Sequence, residues 1–491
     1  MQPQKRRRWI RSTAAVAVVL LAVLAATPSF LVRSGYLRRI LNKKPEKFLL
    51  SYASATAPWP WQIVANGLEI RGADPNVEWW FRMERADLKI SLFGLLRRRF
   101  HVRTLRVEGL RFRLRQRVKR EERDAAAVAP LPEIPGFGEV PVKGGAPFFP
   151  PPEPPSHYWA VAIDDLVAPA SEIWIDQYRY QGPARVTGGF FLWPRKETHI
   201  GPASVDFEGG RLSLGENIMA SSLRGRVGAK IASYDPKIVR GEEVYRYISG
   251  KASVSGPTPD MRWLNYYLRS SPQPRLSGGK GTIEAALSLE NGEGFLSAKL
   301  DGRRVRAKYQ KESLVGDVSL HARLAPWTPA KAEGRFRDTS IELRDVAAGT
   351  SKEGWWGKFA VGPGTLRSED AGLALASAVS IRCRDARPLY TLFQVGLPKW
   401  AMGLAKMEGL EAAMHVRLAP ALLSVRHLDA RGKRFAIVGN YRKKGSVSDG
   451  AFLVSSGALS AGVDIDKGKS SIKLVGATKW YAARAATPEF R

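Results

Sequence analysis

Hydrophobic and polar residues alternate along most of this chain. Ala86, Leu88, Ile90 and Leu92 occupy every second place, with Asp87, Lys89 and Ser91 between them. After a basic turn (Gly94, Arg97, Arg98, Arg99) the rhythm returns as Leu110, Phe112, Leu114, Gln116 and Val118, set against Arg111, Arg113, Arg115 and Arg117. Side chains on a strand point to opposite faces with period two, so each run predicts a ribbon with one aliphatic face and one polar or cationic face. The first strands are predicted at Gly67–Gly72, Trp79–Leu92, Phe100–Val107 and Leu110–Val118.

From Ala160 to Arg491 the pattern predicts a β meander. Ile173–Tyr180, Ala184–Trp193, Ala203–Phe207 and Arg211–Leu214 read as short strands with Gly or Pro between them. Asn291-Gly292 and Asp301-Gly302 read as hairpin turns joining Thr282–Glu290, Gly294–Leu300 and Arg303–Tyr309. Two short helices are expected within the sheet. One lies near residues 259–269, with Thr258 as cap and Pro259 at the first position, and the other near residues 388–406. Glu284-Ala285-Ala286-Leu287 and Glu411-Ala412-Ala413-Met414 follow these helices, and Leu300-Asp301 and Leu428-Asp429 recur further on. The collinear match suggests a sheet lengthened by duplication.

Between the two β regions lies a stretch in which proline punctuates the chain. Ala125–Ser156 holds 10 of the 32 prolines, and proline has no backbone donor for a β ladder. An extended or disordered insertion is expected there. The organisation read from the sequence is a tail and anchor over 1–33, a β module over 34–122, the insertion over 123–156, and a repeated β domain over 157–491.

Charge changes the picture at the N-terminus. The formal net charge is +31, and residues 1–120 hold 26 lysines and arginines against 7 acidic residues. Such a field attracts polyanions, whether nucleic acid, anionic lipid or acidic glycan. Ser12–Val32 is a 21-residue run without charge. As a helix it would rise about 31 Å, enough to cross a bilayer's hydrocarbon. Lys5–Arg8 and Arg11 before it favour a cytoplasmic N-terminus. An uncleaved anchor is the expectation, and a signal peptide cleaved near Val23–Ala25 is its rival. With the bulk of the chain outside the cytoplasm, nucleic acid drops out as a partner.

Between the span and the first strands, Tyr36–Tyr52 has Leu37, Ile40, Leu41, Phe48 and Leu49 on one helical face, which predicts two short helices that meet at Pro45. They would lie on anionic lipid or cap a sheet end. Trp59, Trp61, Trp79, Trp80 and Phe81 come next, suited either to a membrane interface or to burial against the strands.

The search for reaction chemistry yields no constellation. The six histidines are scattered, without metal-ligand spacing. Gly278-Gly279-Lys280-Gly281-Thr282 lacks phosphate-loop spacing and opens a strand. Asp164-Asp165 and Asp464/Asp466 read as solvated edge residues. Cys383, the single cysteine, stands between two arginines with no histidine beside it. Neither an enzyme nor a cofactor is expected.

The order of span, basic segment, the strand Gly67–Gly72 and then RADLKISLFGLLRRRFHVRTLRVEGLRFRLR (Arg85–Arg115) resembles the amino-terminal module of the AsmA-like proteins, relatives of TamB and the bridge-like lipid-transfer proteins. The tail Leu428–Ile465 is similar to the family's carboxyl-terminal repeat. The resemblance implies an elongated, curled antiparallel sheet whose taco-like trough is hydrophobic. It also implies a bacterial inner-membrane anchor, bulk in the periplasm, and phospholipid movement for outer-membrane biogenesis. Members carry no point-like site, so no functional residues transfer.

Physical reasoning supports the same expectation independently, because an aliphatic sheet face must be buried against a second layer or a ligand. Few amphipathic helices are available to supply that layer. An acyl chain in a trough gains about 0.8 kcal/mol per methylene, or ~12 kcal/mol for ~16 carbons. The candidate groove residues are Leu88, Ile90, Leu92, Leu110, Phe112, Leu114, Ile283 and Leu287. Arg97, Arg98, Arg99, Arg111, Arg113 and Arg115 are candidates for anionic head groups, or else a solvated basic face. The competing expectation is an envelope scaffold without transport, binding anionic lipid, lipopolysaccharide or acidic glycan on its basic surface. Further envelope proteins are expected as partners in either case.

Overall fold

The computed structural model describes residues 34–35, 38–39, 42, 45–73, 77–118, 128–139, 159–193, 196–236, 238–239, 241–268, 275–309, 312–331, 333–348, 354–369, 372–385, 408–419, 421–487 and 490. The expected anchor (12–32) and the second expected helix (388–406) lie outside them. Among the described residues no helix is long and apolar enough to cross a membrane. The chain divides into two compact units, Met1–Gly241 with Tyr247–Ser249, and Glu242–Arg246 with Gly250–Arg491.

The first unit holds β1 (Phe48–Ser51), β2 (Ser54–Trp59), β3 (Gln62–Ala73), β4 (Val77–Ile90), helix α1 (Leu92–Leu96), β5 (Arg99–Glu108), β6 (Leu110–Gln116), β7 (Ala160–Ile175), β8 (Tyr178–Trp193), β9 (Glu197–Leu214) and β10 (Asn217–Tyr234). β1 and β2 succeed one another along β3, and β5 and β6 succeed one another along β4. Phe48 and Leu49 thus belong to a strand and not to the helix expected after Pro45. Leu92 is not on a strand either, because Ser91 caps α1, its side chain accepting from Gly94 N.

β7 runs parallel to β5 and β6, with Arg99 opposite Ala160 and Leu114 opposite Ile175. The unit is therefore mixed rather than wholly antiparallel. A parallel neighbour needs a long crossover, and the proline-rich insertion is that crossover. Its described part, Val128–Glu139, is packed on the sheet with Pro132 and Ile134 fully buried.

A second departure from simple alternation concerns phase. Along β3 the apolar positions run Ile63, Ala65 and then Leu68, Ile70, and along the third strand they run Leu105, Val107 and then Leu110, Phe112. On β4 the buried positions Met83 and Ala86 are likewise three residues apart at the same row, although the pairing with β3 runs through it without a register shift. Gly67 (φ +59) and Gly109 (φ +63) flank Glu84 there. A left-handed residue advances the side-chain direction by less than an extended one, so the alternation restarts out of phase. Ala65, Leu68, Met83, Ala86, Val107 and Leu110 are buried on the two sides of this row.

The second unit holds β11 (Ile248–Thr258), β12 (Arg275–Glu290), β13 (Glu293–Tyr309), β14 (Glu312–Thr328), β15 (Glu333–Phe336), β16 (Thr339–Ala348), β17 (Trp355–Glu369), β18 (Gly372–Cys383), β19 (Leu410–Ala419), β20 (Leu422–Arg431), β21 (Ala436–Lys444), β22 (Val447–Ser456), β23 (Leu459–Asp466), β24 (Lys469–Lys473) and helix α2 (Ala477–Ala485). Every pairing in it is antiparallel between neighbours in sequence, apart from β15, a short strand that bridges β14 and β17 beside β16.

Asn291-Gly292 makes the predicted hairpin turn, both residues at positive φ. Asp301-Gly302 does not, because both lie within the 17-residue β13. Just after them the strand bulges at Arg304 (φ +49), whose N–H donates to Asp317 Oδ1 at 2.8 Å. The expected helix at 259–269 is a 3₁₀ turn, Met261–Tyr266, capped by Asp260 and not by Thr258. Thr258 Oγ1 accepts from Trp263 Nε1 instead, at 3.0 Å. α2 packs Trp480 over Gly462 on β23.

The apparent repeat does not carry through to the register. Glu284 stands opposite Lys299, fifteen residues on, whereas its counterpart Glu411 stands opposite Arg431, twenty residues on.

Candidate functional site

In an antiparallel ladder, residues directly opposite share a face, so the register can be followed across strands. In the second unit one such line begins at Gly256 and passes through Ile283, Leu300, Leu320, Ile341, Phe359 and Ile381. It continues through Ala412, Ala430, Ile437 and Val454 to Ala461. Twelve strands each contribute one residue, and none of the twelve residues is polar. The parallel line two residues away is also apolar at its start, with Val254, Ala285, Ala298 and Ala322. Leu287 lies on the same face, opposite Leu296.

The neighbouring line, on the other face, is polar across the eight strands from β12 to β20, β15 aside, with Pro257 and Ala436 at its two ends. It runs Thr282, Asp301, Ser319, Glu342, Lys358, Arg382, Glu411 and Arg431. Ser319 Oγ donates to Asp301 at 2.6 Å, Lys358 reaches Glu342 at 2.7 Å, and Arg382 reaches Glu411 at 3.3 Å. The Ser319 hydroxyl and then Lys299 hold Asp301 below the usual carboxylate range, and Arg344 and Lys358 do the same for Glu342. One face is thus a run of polar and charged side chains, with ion pairs at Glu342–Lys358 and Arg382–Glu411, and the other is hydrocarbon.

The apolar face packs on itself but is not fully covered. A contiguous cluster extends from Leu314 on β14 to Ile437 on β21, centred on Trp355, Ile381, Cys383 and Leu410. Met261 and Trp263 of the 3₁₀ turn are buried, and the Met261 methyl lies against Gly281 and Gly302. Ile283, Leu320, Ile341, Phe359 and Ile437, however, remain only half-buried. Full burial of such a side chain gives roughly 1.5–3 kcal/mol, so each leaves at most about a third of that, some 0.2–1 kcal/mol, to be gained from a further apolar layer.

The first unit has a corresponding line. Leu50, Ile70, Phe81, Phe112, Ile173, Tyr180, Leu212 and Ala220 stand opposite one another across eight strands. The Phe81 and Phe112 rings are 4.7 Å apart. Leu114 faces Trp79 in the adjacent line. Leu88 and Ile90 lie beyond the glycine row, Leu88 between Ile63 and Leu105, while Leu92 is on α1. The sequence candidates therefore divide into Leu110, Phe112 and Leu114 on one side of that row and Leu88 and Ile90 on the other.

The arginine candidates divide more sharply. On the face opposite Phe112, Arg113 donates to Glu172 at 2.7 Å and to Glu133 O at 3.0 Å, with its guanidinium over Trp80 and Trp174. Arg115 is 2% exposed. It donates to Glu78 at 2.7 Å and to the crossover carbonyls of Pro132 and Gly138. Burial raises the Glu172 carboxyl, but Arg179 and Arg113 outweigh it and the group ends below the ordinary range. These two arginines clamp the crossover and are not offered to a head group, whereas Arg111 is exposed, as are Arg97 and Arg98 by α1. Arg99 is partly buried, with its guanidinium over Phe191.

The other chemical candidates are engaged in local pairs. His101 contacts Asp164 at 2.6 Å, Arg106 pairs with Asp165, and Arg484 pairs with Asp464. Cys383 is buried, which pushes its thiol up to about 12, and it donates to Asp385 O. Among the described residues no three His, Cys, Asp or Glu side chains converge as metal ligands. The register lines themselves were missed in the sequence, because alternation shows that a strand has two faces but not which residues of different strands meet. Set against family models, curated proteins and solved structures, the chain matches none.

Proposed function

We propose that this protein binds the acyl chains of phospholipid on the apolar face of its sheets, as an inner-membrane-anchored periplasmic protein of AsmA-like type serving envelope biogenesis. The observation that carries the reading is the twelve-strand apolar line from Gly256 to Ala461, half-buried at Ile283, Leu320, Ile341, Phe359 and Ile437. A lipid tail laid across such a line meets one hydrocarbon group per strand spacing, about 4.8 Å, and needs no hydrogen bond from it. The charged ladder on the reverse face keeps that side in water. The resemblance of Arg85–Arg115 and Leu428–Ile465 to AsmA-like segments supports the same assignment.

The test is extraction and mass spectrometry of lipid from the purified full chain, in parallel with Ile341→Asn. Phospholipid is expected with the unaltered chain and at least fivefold less with Ile341→Asn, provided circular dichroism shows the variant folded. Folded protein carrying no lipid would contradict the proposal and leave an anchored scaffold.

A further inference from the structure

The far ends of the first unit's strands carry an unusual surface. The turn from β2 to β3 holds Trp59 and Trp61, stacked at 5.7 Å and exposed to 58% and 49%. The next turn along the sheet is α1 with its flanks, where Phe93 is 61% and Leu96 76% exposed. The two turns adjoin, since Ile90 N donates to Trp61 O at 2.7 Å. Arg98 O accepts from Ala160 N, which brings the exposed Trp159 to the same end. One strand further, Lys196 sits over the Trp193 ring at 3.9 Å.

Large exposed aromatics grouped at one edge are costly in water and mark a contact surface. The charges around them indicate what the contact is. Ser91–Arg99 carries three arginines and no acidic residue. Arg97 lies over the Phe93 ring at 4.4 Å, so the cation and the ring project together. Rings flanked by guanidinium groups match the boundary of an anionic bilayer, where amphipathic aromatics settle at head-group depth and long cations reach phosphate. A folded protein partner would have to bury those guanidinium groups against its own carboxylates. A bilayer accepts them at its edge without desolvation.

We propose that this tip of the first unit, built on Trp59, Trp61, Phe93, Leu96, Arg97 and Arg98, seats on an anionic membrane surface. The contact is separate from the expected N-terminal span and does not depend on lipid occupying the apolar lines. β1 starts at the opposite end of β3 from the tip, with Phe48 opposite Gly72, whereas Trp59 is opposite Gln62. The tip is therefore about a strand length, some 33 Å, from where the chain enters the sheet.

The experiment uses the full chain with Leu96→Cys carrying an environment-sensitive fluorophore; Cys383 is fully buried and stays unlabelled. The labelled chain is combined with phosphatidylcholine vesicles with or without phosphatidylglycerol, including versions brominated along the acyl chain. Expected with phosphatidylglycerol are a blue-shifted emission and quenching by bromine. Arg97→Gln with Arg98→Gln should weaken that response roughly 30-fold, since each cation near an anionic surface contributes about a five- to sixfold factor. Emission that stays at the water position in anionic vesicles would overturn the proposal. So would quenching that the double substitution leaves unchanged. Lipid extraction from the same protein reads the apolar lines separately, so the two proposals can fail independently.

Discussion

Arg111 and Arg115 occupy the same strand and the same alternation, yet Arg111 is exposed and Arg115 is buried on Glu78 beneath Pro132 and Gly138. Removing one partner of a buried pair strands the other charge, at about 3–5 kcal/mol. Arg115→Met should therefore destabilise the first unit by that amount in urea unfolding and open Val128–Glu139 to protease. Arg111→Met should cost no more than about 0.5 kcal/mol. Glu172 sets a pH dependence: its folded carboxyl is held low, so its contribution is whole above its ordinary range near pH 4.5 and is lost as pH falls through and below it. A drop in urea midpoint between pH 6 and pH 3.5 should be smaller in Glu172→Gln than in the unaltered chain. Cys383 behaves oppositely. Its thiol is raised to about 12, so the stability of the neutral buried form is present below about pH 9 and lost as pH rises toward 12. Alkylation at pH 8 should label the native thiol far more slowly than the unfolded one.

At the level of elements, the sequence alternation placed the strands it named but misjudged where strands end: Ile173–Tyr180 crosses the turn between β7 and β8, and Ala203–Phe207 and Arg211–Leu214 belong to the single strand β9. Asp301-Gly302 has turn composition, but two long neighbours, β12 and β14, pair along both sides of β13 and carry it straight through as a bulge. Composition reports local preference, and sixteen or more residues of ladder override it. Gly281 is a related case, invisible as a structural requirement until its neighbours are known. A Cβ there would run into Asp301 O and meet the Met261 methyl at 2.7 Å. Gly281→Ala should cost about 1–3 kcal/mol in urea unfolding, because the obstacle is strand backbone and cannot swing aside. The phase slip at Gly67 and Gly109 was likewise unreadable as such. Strict period two assigns Leu88 and Phe112 to equivalent ribbons, while the register places them on opposite sides of the slip.

For the molecule, the mainly β class was legible from alternation, because period-two patterning and scarce helical periodicity hold over most of the chain. The parallel step from β6 to β7 was not, since a proline-rich segment indicates only length and solvation, while its carbonyls become meaningful when Arg71, Arg113 and Arg115 reach them. The candidate groove was half legible. Ile283 and Phe112 were chosen for their strands and fall on the apolar lines of their units, while their eleven and seven line-mates depend on pairing that one strand's sequence does not encode. The central claim is that the hydrocarbon face, and not its charged reverse, meets fatty chains. Photo-crosslinking in cells tests it most directly, with a diazirine side chain placed in turn at Leu320, Ile341, Ser319 and Glu342, adjacent residues that alternate between the two faces. Phospholipid adducts at Leu320 and Ile341 with none at Ser319 and Glu342 are predicted; adducts at neither pair, or equally at both, would contradict the account.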